Sequence, residues 1–237
     1  MSFRRHYLVL HVIILNLVGC AYPIGKTIQK PISKAAVVVD INSDIVCYRK
    51  HATLFTNGSK DSIPLGADWS KDFKKSFEKA LIKNNVQYEF FQLSDLGLDN
   101  TSIEKIGNSI KAVVIPEHQA VFTQRVSQLN VDAVFILTDV NDPDNTNSCK
   151  SAINAAADMY GLFARAPSIG IFTSQGEYSK TLGISAVINS RGIATQPSTL
   201  SQQTVSRIYH TLNNTLEDAL DNYLSPRIEE QDPFQNW

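Results

Sequence analysis

Residues 131–140, VDAVFILTDV, are the most apolar strand-like stretch of this chain, and residues 35–41, AAVVVDI, share their character. A short, continuous apolar run rich in β-branched residues is typical of a buried strand. Between these runs, Asp68 can cap a helix over residues 69–85, and residues 86–93 form another strand-like stretch. Because strands that alternate with helices favour parallel βαβ units, these segments predict the parallel part of an α/β sheet.

The rest of the chain supplies further predicted elements. Thr101 and Glu104 have the spacing of a capping box, which predicts a short helix through Ile110. Ser148 can cap a helix over residues 149–165. Other predicted elements are a loop or hairpin up to residue 67, a helix after Pro116, an antiparallel pair at 168–174 and 182–196, and a long helix at about 201–224. We therefore predict an α/β fold: a single domain over residues 35–225, with a mixed sheet, helices packed on it and a long C-terminal helix.

The N-terminus carries a different pattern. Arg4 and Arg5 precede a mostly apolar run over residues 7–18. That length suits the apolar region of a secretory signal, whereas a membrane-spanning helix needs about 20 apolar residues. We therefore expect an export signal here rather than a spanning helix.

The apolar run ends in Leu17-Val18-Gly19-Cys20, which resembles the lipobox of bacterial lipoprotein precursors. The resemblance implies that the Cys20 thiol receives a diacylglyceryl group, that a signal peptidase cuts before Cys20, and that the new amino group is acylated. Ala21 in the next position resembles lipoproteins of the outer membrane. Two or more acyl chains hold a protein stably at a membrane, so we expect an anchor on the periplasmic face of the outer membrane. The alternative is that Cys20 is a buried thiol in a terminal hydrophobic helix.

The segments outside the domain have predicted roles of their own. Residues 1–19 are the predicted signal peptide, residues 20–34 are a lipidated Cys and a flexible tether, and residues 226–237 are a loose acidic tail.

The composition is that of an ordinary globular protein. The chain has 22 Lys and Arg against 23 Asp and Glu, and loss of the two signal Arg leaves 20 against 23, a net charge of −3. This balance lacks the basic footprint of a nucleic-acid binder.

Two cysteines remain if Cys20 carries lipid. Cys47 and Cys149 could form a disulfide, because the periplasm is oxidising. They could equally be two separate buried thiols, since free Cys is often a small core residue. Their spacing in sequence does not decide between the two.

No catalytic motif such as G-x-S-x-G, H-E-x-x-H or C-x-x-C occurs in the sequence. In the loop after the apolar strand, Asp139, Asp142 and Asp144 could offer oxygen ligands to Ca²⁺ or Mg²⁺. Asp40 ends the first strand and could face the same edge, where ligands of open α/β sheets bind. Pro143 interrupts the calcium-loop pattern, and these residues also suit a solvated turn. We therefore expect no cofactor.

A second polar stretch, residues 174–179, lies between the two strands of the predicted antiparallel pair. Its sequence, SQGEYS, contains Gly176 and Tyr178. It could form a contact loop for a partner, or it could be a hairpin turn with no further role.

The element order of the mature chain is similar to that of periplasmic α/β lipoproteins such as the curli-secretion lipoprotein and the lipoprotein activators of penicillin-binding proteins. No shared motif accompanies this order, so no binding residue is carried over. The favoured hypothesis is a non-enzymatic outer-membrane lipoprotein that binds envelope or periplasmic proteins as an assembly or regulatory component. The alternatives are an anchored metal-dependent hydrolase that uses Asp40, Asp139, Asp142 and Asp144, and a structural envelope lipoprotein without a dedicated partner.

Overall fold

The predicted α/β domain is confirmed in a computed structural model of the chain. The structure describes residues 26–28, 31–41, 45–49, 60–64, 68–105, 112–138, 153–158, 161–189 and 200–225. Its helices are α1 (Trp69–Lys83), α2 (Pro116–Ser127), α3 (Gln202–Leu224) and a short 3-10 helix (Leu93–Leu96). Its strands are β1 (Lys34–Asp40), β2 (Ile45–Arg49), β3 (Lys60–Pro64), β4 (Gln87–Phe91), β5 (Ile103–Lys105), β6 (Ala112–Val114), β7 (Ala133–Thr138), β8 (Ile153–Asp158), β9 (Gly161–Arg165), β10 (Ile169–Thr173), β11 (Tyr178–Leu182) and β12 (Ser185–Asn189).

The first sheet has the strand order β11-β10-β7-β1-β4. β1 lies between β4 and β7 and is parallel to both, as the alternation of strands and helices predicted. β10 runs antiparallel to β7 and to β11. The sheet is therefore mixed, with its parallel strands on one side and its antiparallel pair on the other.

The second sheet has the strand order β12-β9-β8-β2-β3 and shares the pairing pattern of the first in four of its strands, while β3 is antiparallel to β2 and β4 is parallel to β1. β2 is parallel to β8, as β1 is to β7, and β9 is antiparallel to β8 and β12, as β10 is to β7 and β11. Two strands pass from one sheet into the other through described residues: β9 into β10 through residues 166–168, and β11 into β12 through Gly183 and Ile184. We call the boundary where they change sheets the crease. A hydrogen bond of 3.0 Å from the Ala166 backbone N–H to the Ile184 carbonyl lies along it.

The first sheet is covered on both faces, which explains its apolar strands. One face packs against α1 and α3, and the other against α2, the 3-10 helix and β5. Alternate residues serve the two faces: Val37 and Phe135 point toward α1 and α3, while Val38 and Ile136 point the other way. β7 is buried along its whole length for this reason.

The two long helices form as their sequences predict. The Asp68 side chain accepts a hydrogen bond of 3.0 Å from the Lys71 backbone N–H and caps α1. Ser201 caps α3 in the same way through Thr204. The buried stripe of α3 consists of Val205, Ile208, Leu212, Leu216, Leu220 and Leu224. Ala219 and Tyr223 lie beside this stripe and are half-buried.

The predicted helix over residues 101–110 is wrong, because residues 103–105 form strand β5 and pair with β6. The capping-box spacing of Thr101 and Glu104 is misleading here. The Asp99 carboxylate accepts hydrogen bonds from the Thr101 backbone N–H and the Ser102 hydroxyl, which makes a local turn instead of a helix start.

The predicted helix over residues 149–165 is also wrong. Residues 153–158 and 161–165 form β8 and β9, an antiparallel pair in the second sheet. Alanine-rich sequence favours a helix in isolation, but here β2 and β12 supply pairing partners on either side. Ser148 lies outside the described residues.

The predicted antiparallel pair near the end of the sheet exists with a different partner. β10 pairs with β11, which begins inside the stretch assigned to the turn. The strand predicted over 182–196 is broken at Gly183 and Ile184, and residues 185–189 continue as β12 in the second sheet. β2 and β3 form an antiparallel hairpin, which confirms one of the two predictions for the stretch up to residue 67. The Asn57-Gly58 pair, a sequence typical of a hairpin turn, lies outside the described residues.

Candidate functional site

The crease brings three polar side chains into one row. Asp40 ends β1 and is the register partner of Thr138, which ends β7. Ser168 lies one residue before Ile169, whose register partner is Leu137, so it continues the row onto β10. Asp40 thus ends β1 at the carboxyl end of the parallel strands with Thr138 as its described neighbour, and its proximity to Asp139, Asp142 and Asp144 stays a prediction.

This row lies at the switch point of the first sheet. The connection from β1 to β4 runs through α1 on one face, and the connection from β4 to β7 runs through α2 on the other. Connections that leave opposite faces of neighbouring strands open a crevice at their carboxyl ends, where ligands of α/β proteins bind. Ser168 in this row ends the three-residue link from β9 to β10, so the second sheet adjoins that position.

Burial gives the row its chemical character. Thr138 is 2% exposed, Ser168 is 1% exposed and Asp40 is half-buried. The Ser168 hydroxyl has no hydrogen-bond partner among the described protein atoms, although buried polar groups are nearly always paired. One carboxylate and two hydroxyls can orient a polar ligand through hydrogen bonds.

The other predicted site residues lie beyond what the structure describes. Asp139, Asp142, Asp144 and Cys149 are outside the described residues, as is Cys20. Cys47 lies in β2, and its side chain is not among those described. Metal binding by the acidic loop, a Cys47–Cys149 disulfide and lipidation of Cys20 therefore stay predictions. In the described part of the chain, no three His, Cys, Asp or Glu side chains come together to hold a metal ion.

At the ends of the strands opposite the crease, the segment before β1 is bonded to the domain. The Lys26 backbone N–H donates a hydrogen bond of 2.8 Å to the Tyr178 carbonyl on β11. Ile28 and Ile32 are buried in the core beneath α1 and α3. The Asp132 carboxylate, just before β7, accepts hydrogen bonds from the Ser33 and Lys34 backbone N–H groups at 2.7 and 2.9 Å. The described parts of the segment are thus bonded to β11 at Lys26 and to the residue before β7 at Ser33 and Lys34.

The turn over residues 174–177 lies at this same edge. Its polar groups are used internally: the Thr173 hydroxyl accepts from the backbone N–H groups of Gln175 and Glu177. Gln119 of α2 donates a hydrogen bond of 2.9 Å to the Gly176 carbonyl. Residues 174–177 therefore form the turn between β10 and β11, fixed to its own domain, and contact of residues 174–179 with a partner stays a prediction.

α1 and α3 end at this edge too. They lie parallel, and Lys83 near the end of α1 donates a hydrogen bond of 2.6 Å to Asp221. That hydrogen bond holds the pKa of the Asp221 carboxyl below its ordinary value and raises the pKa of Lys83. The Ser225 hydroxyl, after α3, donates a hydrogen bond to Asn84. We call this edge, marked by Lys26, Asn84, Asp132 and Gly176, the attachment end.

Two features of these sites escaped the sequence interpretation. Ile28 and Ile32 stand in a Pro- and Lys-containing stretch, and their spacing of four was the only signal that the segment docks on the domain. Ser168 follows Pro167 at a strand start, with nothing in the sequence to indicate burial. Both depend on which strand lies next to which.

The chain matches no protein-family model, and neither the curated proteins nor the solved structures contain a significant match to it. Among the helices in the described ranges, none has the length and apolarity needed to cross a membrane.

Proposed function

We propose that this chain is a bacterial outer-membrane lipoprotein, anchored through lipid on Cys20, whose domain binds an envelope or periplasmic protein as a non-enzymatic assembly or regulatory component. The observation that carries the proposal is the position of Cys20. It follows the apolar run 7–18 in the sequence Leu17-Val18-Gly19-Cys20 and precedes the domain by a few residues. A triacylated cysteine is stable at a membrane without any spanning helix.

The intact mass of the protein purified from bacterial membranes tests the anchor. We expect a chain that begins at residue 20 and carries the added mass of a diacylglycerol and one acyl chain. The Cys20→Ser variant should lack this mass, because a hydroxyl does not replace the thiol in the lipid transfer. An unmodified chain that begins at Met1 would contradict the proposal. So would a chain cut near residue 20 without lipid, which would indicate a soluble periplasmic protein.

The surface of the second sheet supports the protein-binding part of the proposal. β12 is the last strand on its side of that sheet in the described part of the chain, and Val187 in its middle is 57% exposed. A sheet edge offers backbone groups to a further strand, and an exposed β-branched side chain adds apolar contact. We place the partner on this strand.

Affinity capture from solubilised membranes tests this placement, with lipidation intact. The wild type and an Ile82→Glu variant should recover the same defined partner, whereas Val187→Glu should lose it. Ile82 is the matched control, because it is 60% exposed but lies on α1. Loss with both variants, or with neither, would contradict the role of β12. Recovery of abundant envelope proteins alone would favour a structural lipoprotein without a dedicated partner.

A second candidate function is the anchored metal-dependent hydrolase, which the position of Asp40 at the switch point favours. It requires Asp139, Asp142 or Asp144 to join Asp40 around a metal ion. Calorimetric titration with Ca²⁺, Mg²⁺, Mn²⁺ and Zn²⁺ should then show binding that Asp40→Asn weakens and Asp95→Asn leaves unchanged. Absence of heat with all four ions would remove this candidate.

A further inference from the structure

We propose that the attachment end faces the bilayer and that the second sheet points away from it, so that the domain stands upright on the membrane. The inference rests on the proposed lipid at Cys20. It goes beyond that lipid, because lipidation alone does not fix the orientation of a domain, which could tumble on a long tether. The proposed partner of the attachment end is the lipid bilayer itself.

The first step is the length of chain between the lipid and the domain. Lys26 is six positions after Cys20, and its backbone N–H donates a hydrogen bond to the Tyr178 carbonyl on β11. A fully extended chain gains at most about 3.5 Å per residue, so the backbone nitrogen of Lys26 lies within about 20 Å of the lipidated residue. The segment that follows adds no slack, because Ile28 and Ile32 are buried in the core.

The second step is the direction in which the domain extends from that point. Lys26 lies at the attachment end, together with the last turns of α1 and α3. α3 runs from there to the second sheet, where Arg207 near its start donates a hydrogen bond of 3.3 Å to the Ile188 carbonyl on β12. A helix of 23 residues is about 34 Å long, so β12 is separated from the attachment end by most of that length.

The third step is the charge of the attachment end. Lys26 lies 3.9 Å from Glu177, and Lys83 is paired with Asp221, so positive and negative charges alternate there. The neighbouring turn residues Asn85 and Asn130 are neutral and exposed. The Asp132 carboxylate accepts hydrogen bonds from the Ser33 and Lys34 backbone N–H groups. Within the described ranges, this end therefore carries no concentrated negative charge that anionic lipid headgroups would repel, while residues 226–237, the predicted acidic tail, lie outside those ranges.

Energy transfer to acceptors in the bilayer surface tests the orientation. Single cysteines replace Gln203 or Asn222 in a background in which Cys47 and Cys149 are changed to Ala and Cys20 is kept for the lipid. Both labelling positions are exposed on α3, 19 residues or about 28 Å apart, so each is the control for the other. The lipidated protein is placed in phosphatidylethanolamine and phosphatidylglycerol vesicles that contain a headgroup-labelled acceptor lipid.

We expect transfer from Asn222→Cys to be several-fold more efficient than from Gln203→Cys. A Gly-Ser insertion of about ten residues after Ala21 should greatly reduce the difference, because a flexible linker frees the domain to tumble. Equal transfer from both positions without the insertion, or stronger transfer from Gln203→Cys, would overturn the orientation. Failure of the protein to sediment with vesicles would instead overturn the lipid anchor, and the orientation with it.

Discussion

Gly176 is a residue whose identity the backbone dictates. Its φ of +70° is in the left-handed region, and a Cβ there would come within 3.1 Å of the Thr123 Cα and 3.2 Å of the Phe122 ring. We expect Gly176→Ala to lower the free energy of unfolding by about 1–2 kcal/mol, from the cost of a positive φ and the close contact. Gly183→Ala is the control, since a Cβ at Gly183 meets no atom within 4 Å. Equal urea midpoints for the two variants would contradict this prediction.

Asp99 makes stability depend on acid pH. Its pKa is lowered from 3.8 to about 2, first because the Thr101 hydroxyl donates a hydrogen bond to it, then through the Thr101 backbone N–H and the Ser102 hydroxyl. The carboxylate therefore stabilises the fold fully above pH 3.8, and that contribution disappears as the pH falls toward 2.

The difference in denaturation midpoint between wild type and Asp99→Ala should be constant near neutral pH and shrink as the pH falls from 3.8 to about 2. Ser94→Ala, at an exposed position without a titratable side chain, should show no such change over the same interval. A midpoint difference for Asp99→Ala that is the same at every pH would contradict the assigned cause.

At the scale of elements, the stability of α3 comes from its buried stripe. Leu216 is fully buried between α1 and the sheet, so Leu216→Ala should lower the free energy of unfolding by about 2–4 kcal/mol. Asn214→Ala, at an exposed position of the same helix, should change it by less than about 0.5 kcal/mol. Chemical denaturation of both variants measures the contrast, and similar losses would mean that the stripe is assigned to the wrong face.

Elements with a strong local signal were predictable from sequence, and those defined by distant partners were not. α1 and α3 have a cap and an apolar stripe, and β1 and β7 have continuous apolar runs. β8 and β9 have neither, and they become strands because β2 and β12 lie beside them. The same reason explains why only part of the candidate site was predictable. Asp40 ends a strand with a strong local signal, whereas Ser168 lies near it only because β10 pairs with β7.

At the scale of the whole molecule, the segment before β1 ties the attachment end to the core. We expect Ile32→Ala to lower the free energy of unfolding by about 2 kcal/mol, because a nearly buried side chain is truncated. The same variant should make cleavage after Lys26 by limited trypsin faster than in wild type. Ser33→Ala, at an exposed neighbour whose backbone N–H still reaches Asp132, should not. Unchanged cleavage of Ile32→Ala would mean that Ile28 and Asp132 hold the segment without it.

The pairing of β1 has a consequence for the order in which the chain acquires structure during synthesis. β1 is among the first strands to leave the ribosome, yet its neighbours are residues 87–91 and residues 133–138. β2 waits in the same way for β8, and the core over both sheets waits for α3. β2 can pair early with β3, and β1 with β4, but each of the two strands gains its second partner only after more than half of the polypeptide has been made, and loop closure over such distances is slow. Both sheets are therefore completed late in synthesis, and until then the apolar strands β1 and β7 are open to intermolecular contacts that lead to aggregation.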